Sequence, residues 1–157
     1  MPKPLTFELV GETQLVVTRD FDAPPALVWR AHTEPQFVEK WQAGFDGWTL
    51  EIITFDVVPG GKYRLDYAGP DDGAFSITGT FLEVEAPRRI VQEEIMLMPD
   101  PTPANHVETV FSAKGEGTQM VMTMTLPDAE TRKEMMDTGM LDGMEFSYQS
   151  LDALELA

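Results

Sequence analysis

Residues 128–156 read DAETRKEMMDTGMLDGMEFSYQSLDALEL, and the folding of this stretch decides how the rest of the chain is arranged. At 100° per residue, Ala129, Met136, Met140, Met144, Ser147, Leu151 and Leu154 fall within about 40° of one line, with Gly143 beside it. That spacing predicts one long amphipathic helix from Asp128 to Leu156, with Asp128 as its N-cap. Burial of Met136, Met140, Met144, Leu151 and Leu154 is worth roughly 1.5 to 3 kcal/mol each. Gly139 and Gly143 cost about 1 kcal/mol each relative to Ala in a helix. Packing outweighs propensity, so the helix forms against an apolar partner surface, and the strands before it supply one.

Those strands are visible as a period of two. Leu5, Phe7 and Leu9 alternate with polar residues, and Gln14 to Phe21 is rich in Leu and Val. Asp22-Ala23-Pro24-Pro25 then starts a short helix to about Ala31. Thr33 and Gln36 have the spacing of a capping box for a second, to about Lys40, with Phe37, Val38 and Trp41 on one face. Gly44, Asp46 and Gly47 mark a loop. Further strands are predicted at Thr49 to Val58, Lys62 to Tyr67, Phe75 to Val84 and Arg89 to Leu97. They are separated by turns at Pro59-Gly60-Gly61, at Gly69-Pro70-Asp71-Asp72-Gly73 and at Ala86-Pro87-Arg88. Met98 to Asn105 holds three prolines and reads as a loop. Val107, Thr109 and Phe111 alternate in the next strand, and Met120, Met122, Met124 and Leu126 in the last, across a hairpin at Lys114-Gly115-Glu116-Gly117.

Connections this short make neighbouring strands antiparallel. The expected fold is therefore α+β: one curved antiparallel sheet of about six or seven strands, two short helices, and one long C-terminal helix packed across the apolar face, in a single domain spanning residues 1–157.

Composition narrows function by exclusion. Eleven Lys and Arg against 27 Asp and Glu give a formal charge of −16, which repels nucleic acid and anionic membrane. With no cysteine, disulfides, thiolate metal sites and a cysteine nucleophile are excluded. No apolar run is long enough to span a bilayer, and Met1 to Pro4 lack the apolar core of a secretory signal. A soluble cytoplasmic protein is expected.

The candidate site is the space between sheet and helix. Ten methionines is a high count, and Met120, Met122, Met136, Met140 and Met144 converge on the inferred inner faces. They suit either an adaptable pocket or an ordinary packed core. Gly143 leaves volume beside them. Trp41, Tyr63, Leu65, Tyr67, Phe75, Ile77 and Phe81 complete the expected lining, the two tyrosines either as polar handles or as hydroxyls at a wet rim. His32 and His106 are expected to be exposed or capped, and no metal or cofactor is expected. Glu93 and Glu94 are neighbours on one strand, so at most one faces inward, where a buried carboxylate acquires a raised pKa.

Several landmarks together resemble a known family. Thr18-Arg19-Asp20-Phe21-Asp22-Ala23-Pro24, Val28-Trp29-Arg30-Ala31, Thr33-Glu34-Pro35 and Trp41 are similar to the opening of the START-like (SRPBCC) superfamily. So are Pro59-Gly60-Gly61-Lys62-Tyr63-Arg64, Gly79-Thr80-Phe81-Leu82-Glu83-Val84, Gly139-Met140-Leu141-Asp142-Gly143 and Gln149-Ser150-Leu151-Asp152. The likeness is to the branch named after activators of the heat-shock chaperone ATPase, and it runs from about Leu15 to Leu154. It implies a helix-grip fold whose cavity in relatives holds lipids, hormones or polyketides. The expected function is binding of a small apolar molecule, with a cyclase- or hydrolase-like enzyme as the alternative. A chaperone-activating module is less favoured, since the extra N-terminal domain of activators is not expected here. A homodimer through the unpaired edge of the N-terminal strand is a further possibility.

Overall fold

A computed structural model describes residues 4–43, 47–71, 73–97 and 101–154. Expectations for residues 1–3, Gly44, Asp46, Asp72, Met98 and the helix end at Leu156 lie outside these. The chain runs β1 (Thr6–Val10), β2 (Gln14–Phe21), α1 (Pro25–Thr33), α2 (Pro35–Trp41), β3 (Thr49–Phe55) and β4 (Lys62–Ala68). It continues through β5 (Ala74–Glu85), β6 (Arg89–Leu97), β7 (Asn105–Lys114), β8 (Gly117–Thr125), α3 (Ala129–Asp137) and α4 (Met140–Asp152). One antiparallel sheet has the order β1-β2-β8-β7-β6-β5-β4-β3, and the helices pack on one face, which is the expected α+β helix-grip architecture. There are eight strands rather than about six or seven, since every one of the alternating runs pairs, exposed β1 included, which joins the β2 edge through a hairpin turning at Gly11, φ +57°.

Strict alternation in β2, β7 and β8 turns Leu15, Val17, Phe21, Val107, Phe111, Met120, Met122 and Met124 inward. Over that half of the sheet α1, α2 and α4 deliver Val28, Trp41, Tyr148 and Leu151, forming the larger core. A second cluster, Tyr63, Leu65, Tyr67, Phe81 and Ile90, covers the β3–β6 half. Within β5, Leu82 has no partner: Phe81 pairs with Gln92, and Glu83 with Val91. This bulge lets both Phe81 and Val84 join that cluster.

The C-terminal stretch is not one helix but two. Asp128 caps α3 as expected, its carboxylate accepting from the Thr131 N–H at 2.7 Å. The helix ends at Thr138, and Gly139 takes φ +80° before α4 begins. A Cβ at Gly139 would touch nothing, so it is the left-handed backbone that calls for glycine there. The expected capping box is also absent: the Thr33 hydroxyl bonds back to the Trp29 carbonyl at 2.8 Å, and α2 starts instead from Glu34 and Pro35.

What fastens α4 to the sheet is a charged residue on the apolar face of β2. Arg19 is 2 % exposed, and its guanidinium donates to both oxygens of Glu145 at 3.0 Å and to Asp152 at 3.2 and 2.8 Å. It also lies over the rings of Phe21 and Tyr148, 5.1 and 5.8 Å from their centroids. Burial alone would lower its pKa; the two carboxylates reverse that and hold it charged.

Arg19→Met keeps the apolar stem but leaves two carboxylates facing each other, at a cost of about 3 kcal/mol, read as a lower urea midpoint. Burial pushes Glu145 up, but hydrogen bonds from Arg19, the Leu5 N–H and Gln149 hold it below its ordinary value. A depressed pKa contributes stability above the unfolded value of about 4.3 and loses it as pH falls through the folded one. Below about pH 4.3, wild-type stability should therefore fall more steeply than that of Arg19→Met.

Candidate functional site

Helix cover is thick over β2, β8 and β7 and thin over β3 to β6, and the difference is a hollow of about 690 Å³ between the sheet and α3–α4. Its floor is built of cross-strand rows. Tyr67 stacks on its β5 partner Phe75 at 4.5 Å between ring centroids, and Leu65 pairs with Ile77, which pairs with Met96. The wall from α4 is Met140, Gly143, Met144, Ser147 and Tyr148, and α3 adds Thr131, Glu134, Met135 and Thr138.

Trp41, Tyr63, Leu65, Tyr67, Phe75, Ile77, Phe81, Met120, Met122, Met140, Gly143 and Met144 all line this hollow. Met136 does not. It packs into the main core, and Met135 takes the position facing the hollow. The break at Gly139 is the cause: with α3 and α4 on different axes, Met136 no longer continues the stripe of Met140 and Met144.

One row carries most of the polarity. Phe55 pairs with Tyr63, Tyr63 with Gly79, Gly79 with Glu94, and Glu94 with Asn105. Directly paired residues share a face, so all point inward. At Gly79 a Cβ would stand 2.3 Å from the Glu93 carbonyl oxygen and 2.3 Å from the Tyr63 hydroxyl. The missing side chain is therefore the channel through which the Tyr63 ring reaches across β5 toward β6.

There the Tyr63 hydroxyl accepts from Gln92 Nε2 at 2.8 Å and donates to Glu94 Oε2 at 3.2 Å. Glu94 lines the hollow while Glu93 is exposed on the other face. Burial drives the Glu94 pKa upward, against the hydrogen bonds from Tyr63 and Gln92 that favour its charged form. Glu94 keeps some surface, but that surface opens onto the hollow rather than onto bulk water, so its charge is poorly solvated. Asn105 is 2 % exposed; its Nδ2 points to Met135 Sδ at 3.6 Å, and its Oδ1 is buried with no protein partner.

His32 departs from expectation: it is neither exposed nor capped but lines the far end of the hollow. Its ring lies 4.8 Å from those of Trp41 and Phe111. Nδ1 is 2.8 Å from the Val28 carbonyl oxygen, which can only accept, so Nδ1 carries the proton. Nε2 is left as a buried acceptor with no protein partner. Burial lowers its pKa to about 4, partly offset by that carbonyl. His106 is exposed, as expected.

Sequence reasoning missed His32, Gln92 and Asn105. Asn105 had a signal: the inward alternation of Val107, Thr109 and Phe111 extends back to it. So did Gln92, which shares the parity of Ile90, Glu94 and Met96 on β6; His32 did not, since it turns inward only through the angle α1 makes with the sheet.

Two measurements check this geometry. With His32 held neutral to about pH 4 and its unfolded pKa near 6.5, the unfolded chain binds the extra proton between those values, so stability should fall as pH drops from about 6.5 to about 4. His32→Phe should flatten that slope, and the His32 ring carbon shifts in NMR should read neutral at about pH 5. Gly79→Ala should displace Tyr63, moving its ring resonances and lowering stability by about 1–3 kcal/mol.

Comparison with known proteins agrees with this architecture. The family model described as "Activator of Hsp90 ATPase homolog 1-like protein" matches residues 22–155. A Rhodobacter sphaeroides crystal structure superposes with TM-score 0.87 at 26% identity, covering 94% of this chain and 95% of that one. A Mycobacterium smegmatis structure gives 0.85 at 22% identity, covering 98% and 96%. An Arthrobacter aurescens structure solved by NMR gives 0.84 at 21%, covering 94% and 89%. The last two likenesses, at such low identity, speak to the fold. No curated protein matches the sequence.

Proposed function

The chain belongs to the Activator of Hsp90 ATPase homolog 1-like family, a branch of the START-like superfamily, and from that premise we propose that it binds a small, mainly apolar molecule between its sheet and α4. The observation that carries the reading is the hollow of about 690 Å³, lined by aromatic, aliphatic and methionine side chains with a few converging polar groups. That is the size and chemistry of a small-molecule site, in which apolar walls supply affinity and sparse polar atoms fix orientation. Met120, Met122, Met140 and Met144 bring flexible thioethers to the wall, which lets the site follow an irregular ligand.

A second reading, an enzyme of the cyclase or hydrolase kind, is supported by Glu94: a carboxyl with raised pKa, hydrogen-bonded to Tyr63 inside the hollow, can move a proton to or from a bound molecule. Under that reading, turnover disappears in Glu94→Gln while binding persists.

Thermal unfolding with a panel of apolar aromatics, long-chain alcohols and sterols tests the binding reading. A ligand at 100 to 1,000 times its Kd should add about 2.7 to 4.1 kcal/mol of stability by linkage. Met144→Trp, which fills the hollow from α4, should remove that shift and remain folded. A panel that leaves the midpoint unmoved, or a ligand indifferent to Met144→Trp, would overturn it.

A further inference from the structure

Two buried polar atoms on the hollow have no hydrogen-bond partner, and both are acceptors. Asn105 Oδ1 is one. The amide orientation is set by its other end, because Nδ2 points at the Met135 sulfur, a weak acceptor; turning the amide over would set two acceptors against each other. Beside it stands Glu94, the residue directly opposite Asn105 in the β6–β7 ladder, which puts the two side chains about 5 Å apart on the inner face. The Glu94 carboxyl is held in place through Oε2, which receives Tyr63 at 3.2 Å and Gln92 at 3.4 Å. No hydrogen bond from a described residue reaches Oε1. The donors of Tyr63 and Gln92 are thus consumed inside the cluster, and what it offers outward is oxygen.

Charge points the same way. Among the described residues that line the hollow there is no Lys or Arg, while Glu94 and Glu134 are both there. A carboxylate or phosphate entering this end would meet lone pairs and negative charge with no cationic side chain among the described lining residues to pair it. His32 Nε2, also an acceptor, sits apart from this cluster: its ring rests on Phe111, six residues along β7 from Asn105 and hence about 20 Å away.

From this arrangement we infer that Glu94 and Asn105, oriented by Tyr63 and Gln92, form a subsite for a hydrogen-bond-donating head group, a hydroxyl or an ammonium, on an otherwise apolar ligand. The subsite rejects carboxylates and distinguishes an alcohol from its ether. It rests on the binding function proposed above and adds the chemical class of the ligand. An ammonium there donates to the buried Asn105 oxygen and the free Glu94 oxygen at once, and a hydroxyl to one of them; an ether leaves both unmet, and a buried unmet acceptor is costly. The hydrogen bonds from Tyr63 and Gln92 to Oε2 favour the charged form of Glu94, and an ammonium adds to that and finds its counter-charge there.

The test uses four biphenyl probes with one body and different para substituents: hydroxymethyl, aminomethyl, methoxymethyl and carboxylate. Titration calorimetry in about 1 M salt, where the screening length is about 3 Å, removes the bias that the protein's overall negative charge would give. The hydroxymethyl and aminomethyl probes should bind at least about tenfold more tightly than the methoxymethyl one, with the carboxylate weakest. Asn105→Leu and Glu94→Gln should each shrink the alcohol-to-ether ratio, and the methoxymethyl probe, binding no more weakly in either, reports that the hollow is intact. Should Asn105→Leu not fold, Glu94→Gln, which keeps shape and drops charge, still decides through the aminomethyl probe, whose advantage must fall. An ether bound as tightly as the alcohol, or selectivity that survives both substitutions, overturns the subsite and leaves the apolar-ligand function standing. Failure of all four probes to bind counts against the ligand function itself and takes the subsite with it.

Discussion

A single guanidinium fixes where α4 lies on the sheet. Arg19 stands on the inner face of β2 where an apolar residue would suffice for packing, and it holds the carboxylates of Glu145 and Asp152, two turns apart on α4. Its planar fork serves both at once, which the ammonium of a lysine cannot do with the same geometry. Glu145 in turn accepts from the Leu5 N–H at 2.8 Å, tying the start of the chain to the same point. Fixed at that end, α4 must cross the sheet in one register, with Ser147, Tyr148 and Leu151 buried and Met140, Gly143 and Met144 held over the floor.

The hollow follows from unequal coverage. Three helices crowd the β2–β8–β7 half and fill it with side chains, while the β3–β6 half receives mostly its own aromatics. The turn at Gly139 redirects the chain, so α3 approaches Asn105 through Met135 instead of extending α4 in a straight rod. Closure at that end is made of a short helix and the loop around Thr102 and Pro103. The walls are mainly apolar, with the Glu94 cluster at one end and His32 at the other.

Much of this could be read from the chain before its coordinates. The alternations of Lys62 to Tyr67 and Met120 to Leu126 named the inner face correctly because a strand's period depends only on itself, and the Asp128 cap is equally local. What escaped reading depends on distant parts. The Met136, Met140, Met144 spacing continues smoothly through Gly139, so periodicity argues for an unbroken helix and only the backbone angle refutes it. Arg19 stood in a motif, but its partners lie 126 and 133 positions away, and no local pattern announces them. The inward turn of His32 and the cross-strand meeting of Glu94 with Asn105 likewise arise from register and helix placement, which the sequence specifies only collectively.

The unpaired Leu82 illustrates how little separates one interior from another. The turn end of the β5–β6 hairpin sets Glu85 against Arg89 and Val84 against Ile90; beyond Leu82 the pairing advances by one, to Phe81 with Gln92 and Gly79 with Glu94. Were Leu82 to enter the ladder opposite Gln92 while the turn stays as it is, Phe81 would face Glu93 and Glu94 would slide opposite Thr80. That slip of one residue would part Glu94 from Gly79, and so from the channel through which Tyr63 reaches it, with every residue still present.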